Sequence, residues 1–128
     1  MSGPAPVGVL VYAKDLERVS RFYCDVLGLA VRHADHDHHI LGDGAAQIVV
    51  HAIPAVIADT IDIAVPPVPR EDAAYKPFFT VQSLAAAREA ARRAGGAVLE
   101  EEWQGPGFLV RNAYDPEGNI LQLRELVP

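Results

Sequence analysis

Hydrophobic positions along the chain switch between a strand period and a helix period, and the switch occurs twice. Val7–Ala13 (VGVLVYA) is a short β-branched run of the kind that forms a buried strand. Behind it, LERVSRFYCDVLG carries apolar residues at Leu16, Val19, Phe22, Tyr23, Val26 and Leu27. That three-to-four spacing predicts an amphipathic helix, with Asp15 as its N-cap and Gly28 ending it. Short strands are expected at Leu29–His33, His38–Leu41 and Gln47–Ile53, separated by turn-forming residues. The second round opens on the strand Pro77–Val81 (PFFTV). Ser83 then caps an alanine-rich helix, SLAAAREAARRAGG, which Gly95 and Gly96 close. Strands at Ala97–Trp103, Phe108–Tyr114 and Asn119–Glu125 complete it. Asp115-Pro116-Glu117-Gly118 has proline second and glycine fourth, the chemistry of a type I turn, and predicts a hairpin between the last two strands.

Setting Leu16 against Leu84 aligns strand with strand, Asp15 with Ser83 and Gly28 with Gly96. Each half therefore reads as strand, helix, three strands. The expected fold is a single α+β domain of two βαβββ modules, with module one at 7–53, a linker at 54–75 containing four prolines, and module two at 76–126. A length of 128 residues suits one domain, and 50% hydrophobic with 22% charged residues is ordinary for a globular protein. The net charge of −6 and the scattered basic residues argue against nucleic acid and anionic membrane as partners. The apolar stretch 55–68 is broken by Asp59, Asp62 and two prolines and cannot span a bilayer. No secretory signal opens the chain, and the single cysteine, Cys24, permits no internal disulfide. Both points favour a cytoplasmic location. Cys24 lies mid-helix with no histidine near it in sequence, so a structural role is expected for it.

Two stretches, DLERVSRFYCDVLGL in the first half and DPEGNILQL near the end, resemble the vicinal oxygen chelate superfamily. That group includes glyoxalase I, the bleomycin-resistance proteins, fosfomycin-modifying enzymes and extradiol dioxygenases. The resemblance implies two modules forming a cupped mixed sheet around a pocket, and a homodimer, since relatives commonly pair their modules across subunits. It does not fix the activity, because one fold hosts many chemistries. The positions where metal-dependent relatives carry ligands fall on Gly8, Val49, Lys76 and Gln122. Glycine and valine offer no side-chain donor, a lysine ammonium has no lone pair, and glutamine supplies one neutral oxygen. A divalent ion needs several converging anionic or imidazole donors, so neither a metal nor another cofactor is expected.

Residues two apart on a strand share a face. His51 should therefore face the cup with Val49, as should Lys76 with Phe78 and Thr80. Gln122 is expected in the pocket, and Arg124, near its strand end, at the surface. Leu10, Tyr12 and Phe78 supply an apolar lining, while Trp103 either closes the pocket or packs at a dimer contact. Residues 33–39, HADHDHH, hold four of the five histidines. No spaced metal-binding motif accompanies them, and a hairpin would prevent His33, Asp35, Asp37 and His39 from sharing a face. The stretch reads as a polar hairpin at the rim, outside the active site. The function expected is binding of a small, anionic organic molecule anchored by Lys76 in a metal-free pocket. One alternative is a metal-dependent lyase, isomerase or dioxygenase whose ion is recruited by His51, Gln122 and a rim histidine. The other is an antibiotic-sequestering resistance protein, for which the basic and neutral pocket positions disfavour a cationic drug.

Overall fold

The computed structural model describes residues 3–128. Module one consists of β1 (Val7–Ala13), α1 (Leu16–Leu27), β2 (Val31–Ala34), β3 (His38–Gly42) and β4 (Ala46–Ala52). Module two repeats the order with β5 (Phe78–Val81), α3 (Leu84–Arg93), β6 (Ala97–Gly105), β7 (Phe108–Tyr114) and β8 (Ile120–Leu126). Each module forms a four-stranded mixed sheet, ordered β1-β4-β3-β2 and β5-β8-β7-β6. In both, the first strand pairs parallel with the last and the other neighbours are antiparallel. A parallel neighbour requires a crossover, which the helix of each module supplies.

Local chemistry sets the helix ends as the sequence predicts. Asp15 Oδ1 accepts from the Arg18 N–H at 3.2 Å, and Ser83 Oγ accepts from the Ala86 N–H at 3.1 Å. Gly28 and Gly95 follow the two helices in the left-handed region, at φ 69° and 91°, where a side chain is disfavoured. The linker differs from expectation by one helical turn, α2 (Ala55–Ala58), which starts behind Pro54 at φ −53°. Proline's fixed φ suits that entry. Strand β2 starts two residues later than predicted, and a register shift between Val31 and His33 accompanies it.

Both helices pack on their sheets and on each other, so one core runs through both modules. Phe22, Leu41, Val50, Leu121 and Leu123 are fully buried. The buried face of α3 is Leu84 followed by the small residues Ala87, Ala90 and Ala91, and Gly96 lies just beyond the helix. A Cβ on Gly96 would come within 2.5 Å of the Phe22 ring and 2.2 Å of the Tyr114 carbonyl oxygen. Small residues on one side therefore admit one large ring from the other. Emptying that space by Phe22→Ala is the kind of change that costs about 3–5 kcal/mol.

The 115–119 turn is a second connection between the modules. It closes as a type I turn should, with the Gly118 N–H donating to the Asp115 carbonyl at 2.9 Å. Its side chains then reach across the molecule. Asp115 is fully buried and accepts from Tyr23 Oη at 2.9 Å, from the Glu117 and Asn119 N–H groups, and from Asn119 Nδ2. Buried Glu117 accepts the N–H groups of Lys14 and Asp15 at 2.9 and 2.7 Å, where α1 begins. A carboxylate at a helix N-terminus also complements the helix dipole.

Candidate functional site

Because the helices cover one face of each sheet, strand alternation turns every second side chain to the open face. In module one this places Tyr12 opposite His51, and His51 opposite His38. His51 lies 5.9 Å from the Tyr12 ring and 5.9 Å from His38, its plane nearly parallel to the latter's at 14°, and His38 lies 5.0 Å from His33. Four rings thus cross the sheet in a row. Beside them, Leu10, Val49 and Ile40 form a parallel apolar row. Leu10 and Tyr12 remain 52% and 61% exposed, unusually open for large side chains on a sheet face.

In module two the open face carries Phe78 opposite Gln122 and Gln122 opposite Asn112. The next row is Thr80, Arg124, Val110 and Trp103. Arg124 does not extend into solvent as its place near a strand end suggested. Its guanidinium lies 3.9 Å from the Phe78 ring centroid and 4.8 Å from that of Phe108. It also donates to Gln122 Oε1 through Nε and Nη2, at 3.2 and 3.1 Å. Attraction of a cation to two ring faces outweighs the pull of water on this side chain. Lys76, in the coil before β5, donates to Asn112 Oδ1 at 3.4 Å and so reaches the same face. Among the described residues neither Lys76 nor Arg124 makes an ion pair. Trp103 is half-exposed at the outer end of its row.

The predicted site residues therefore fall into two groups. Leu10, Tyr12, Val49 and His51 lie on one sheet, and Phe78, Trp103 and Gln122, with Lys76 at the edge, on the other. A cavity of about 390 Å³ at the seam is lined by Leu10, Tyr12, Arg70, Tyr75, Pro77 and Ile120. Only Leu10 and Tyr12 of the predicted set line it. Arg70 and Tyr75 come from the proline-rich linker, where no periodicity marks a residue for a pocket. A hollow of about 450 Å³ lies between the end of α1 and the β5–α3 junction and touches, of the open-face residues named above, only Thr80.

The residues present do not fit the divalent ion that the superfamily implies. A Cβ at Gly8 would approach the Gln47 carbonyl oxygen to 2.7 Å, so a ligating side chain there would need backbone movement. The oxygen of Gln122 is already taken by Arg124. Val49 and protonated Lys76 add no donor. Cys24 is no better as a nucleophile. Burial pushes its thiol pKa up and the neighbouring Asp25 charge adds to the rise, against a smaller opposing hydrogen bond from Ser20.

Residues 33–39 do form a hairpin tip, with the turn at 35–37 between β2 and β3. Its histidines are nonetheless not alike, and His39 departs from the expected polar rim. His39 is 5% exposed on the helix side, its Nδ1 2.8 Å from Ser20 Oγ and its Nε2 3.5 Å from Glu17. His36 projects into solvent, while His33 and His38 join the open face of the sheet. Alternation from His38 to His39 is the sequence signal that separates the last pair.

A family model described as a glyoxalase-like domain matches residues 8–124. No curated protein sequence matches the chain at a significant level. Among solved structures, a glyoxalase/bleomycin resistance protein from Albidiferax ferrireducens superposes with a TM-score of 0.67 at 20% identity, covering 94% of this chain and 98% of that one. A glyoxalase/bleomycin resistance protein/dioxygenase family enzyme from Burkholderia phytofirmans gives 0.66 at 18% identity, with 94% and 97% covered. A glyoxalase-related enzyme from Fulvimarina pelagi gives 0.67 at 19%, with 98% and 88% covered. At these identities the likeness concerns the fold.

Proposed function

The chain belongs to the glyoxalase-like domain family, within the vicinal oxygen chelate superfamily, and from that premise we propose that it binds a small anionic organic molecule without a metal. The observation that carries this reading is the pair of cations on the open face of module two. Arg124 is fixed between Phe78 and Phe108 and oriented by Gln122, and Lys76 stands over Asn112. Neither is neutralised by a carboxylate among the described residues. A carboxylate or another anionic oxygen would complete them through charge-assisted hydrogen bonds, each worth about 1.5–3 kcal/mol when well placed. Arg124 loses little freedom on binding because the rings already hold its plane. Leu10, Tyr12 and Phe78 would shield the organic part of the ligand. Their exposure in the single chain also supports a homodimer in which a second copy covers these faces. The lone thiol of Cys24 suits a reducing cytoplasm.

A thermal-shift screen of matched carboxylates, neutral amides and amines tests the proposal against wild type, Lys76→Met and Arg124→Gln. Carboxylates should raise the melting temperature of wild type, and each variant should lose most of that rise relative to its own ligand-free value. Stabilisation by amines, or variants that respond as wild type does, would overturn it.

A further inference from the structure

We propose that the hairpin joining β2 and β3 carries a site for a late first-row divalent transition ion, held by His33, Asp35 and His38. One donor atom from each of the three lies within 4.8 Å of the others. The Asp35 carboxylate already stands between the rings, with Oδ2 2.8 Å from His33 Nε2 and Oδ1 3.3 Å from His38 Nδ1. Bonds of about 2.0–2.2 Å place the ligand atoms of a tetrahedral ion roughly 3.3 Å apart. Small side-chain rotations would therefore admit the ion in place of the hydrogen bond between His33 and Asp35.

The arrangement is held by the backbone of the hairpin. Asp35 Oδ1 accepts the N–H groups of Asp37 and His38 at 2.8 and 2.9 Å, which orients the carboxylate as outer-shell partners do in metal sites. Strand pairing fixes both histidines on the open face, His33 opposite Ile40 and His38 opposite His51. A hollow of about 280 Å³ borders them and leaves room for water as further ligands. Arg32 lines the same hollow, but Asp43 opposes its charge and is itself held below the usual carboxylate range, chiefly by backbone N–H groups and in part by Arg32. His51 stacks on His38 and donates Nδ1–H to the Ala52 carbonyl at 2.8 Å, which leaves Nε2 as the ring nitrogen not engaged by that carbonyl. Two imidazoles and one carboxylate suit Zn²⁺, Co²⁺, Ni²⁺ or Cu²⁺ and are a poor set for Mg²⁺ or Ca²⁺. The site uses none of Gly8, Val49, Lys76 or Gln122, so it stands or falls independently of the anion pocket.

The test uses tag-free full-length protein, stripped with chelator and desalted. It is titrated with Co²⁺ followed by visible absorption, and with Zn²⁺ and Mg²⁺ by calorimetry. One saturable Co²⁺ per chain, displaced by Zn²⁺, with no Mg²⁺ binding, is expected. His33→Ala and His38→Gln should each weaken Zn²⁺ binding by about tenfold or more while their metal-free melting temperatures stay close to wild type. His36→Ala should bind as wild type does. Absence of saturable binding would overturn the site, as would His33 and His38 variants that bind normally. Loss of binding in His36→Ala alone would also overturn it, because the ion would then sit on the exposed Asp35–His36–Asp37 group.

Discussion

Asp35 and Asp115 open two hairpin turns, one in each module, and use the same local device. Each accepts two backbone N–H groups on Oδ1, from Asp37 and His38 in one case and from Glu117 and Asn119 in the other. Each offers Oδ2 to a side chain, His33 or Tyr23. Yet the Asp35 side chain is 37% exposed and Asp115 is wholly buried. At the exposed turn water can replace any lost partner, so the hydrogen bonds order the loop without holding the fold. At the buried turn no such replacement exists, and each donor deprived of Asp115 would remain unsatisfied. Identical turn chemistry is therefore structural in module two and free for ligand contact in module one.

The largest test of that contrast is Asp115→Ala. It strands Tyr23 Oη and two backbone N–H groups, and should lower the unfolding free energy by roughly 3 kcal/mol or more in urea. A loss below about 1 kcal/mol would mean that water reaches the turn and that the contrast is false. The histidines give a smaller version of the same comparison within one hairpin. His39→Ala removes a buried hydrogen bond to Ser20 and should cost about 1–2 kcal/mol, whereas His36→Ala should stay within about 0.5 kcal/mol. Equal effects would show that the faces of β3 are not distinguished.

The smallest effects belong to pH. Burial, with the Asp115 charge and hydrogen bond behind it, raises the Tyr23 pKa well above its usual 10.0. Its contribution to stability is therefore constant below pH 10. It declines as pH rises further, because the unfolded chain releases a proton that the native state retains. Tyr23→Phe should flatten that alkaline decline. Asp35 behaves oppositely, held well below its usual 3.8, first by His33 and then by the backbone of His38 and Asp37. Its contribution is present above pH 3.8 and is lost as pH falls, and Asp35→Asn should flatten the acid limb only slightly because water screens an exposed group. Denaturation midpoints measured from acid to alkali would reveal both. A larger change for Asp35→Asn than for Tyr23→Phe would reverse the comparison.

Much of this molecule is legible along the chain. Helix spans, both side-chain caps, the glycines that end the helices, the duplicated order and the hairpin after Tyr114 all follow from interactions within a few residues. Strand parity also turned Tyr12, His51, Phe78 and Gln122 to the open face. Three features were not legible in this way. Asp115 and Glu117 read only as turn residues, because Tyr23 and Lys14 lie 92 and 103 residues away in sequence. Arg124 read as a surface side chain, since nothing in the order of residues brings Phe78 and Phe108 to either side of it. The rim histidines read as one polar run until pairing with β4 and packing of α1 gave each ring its own surroundings. Period, cap and turn depend on neighbours along the backbone. Burial and charge pairing depend on which distant surfaces meet, and only the packed modules decide that.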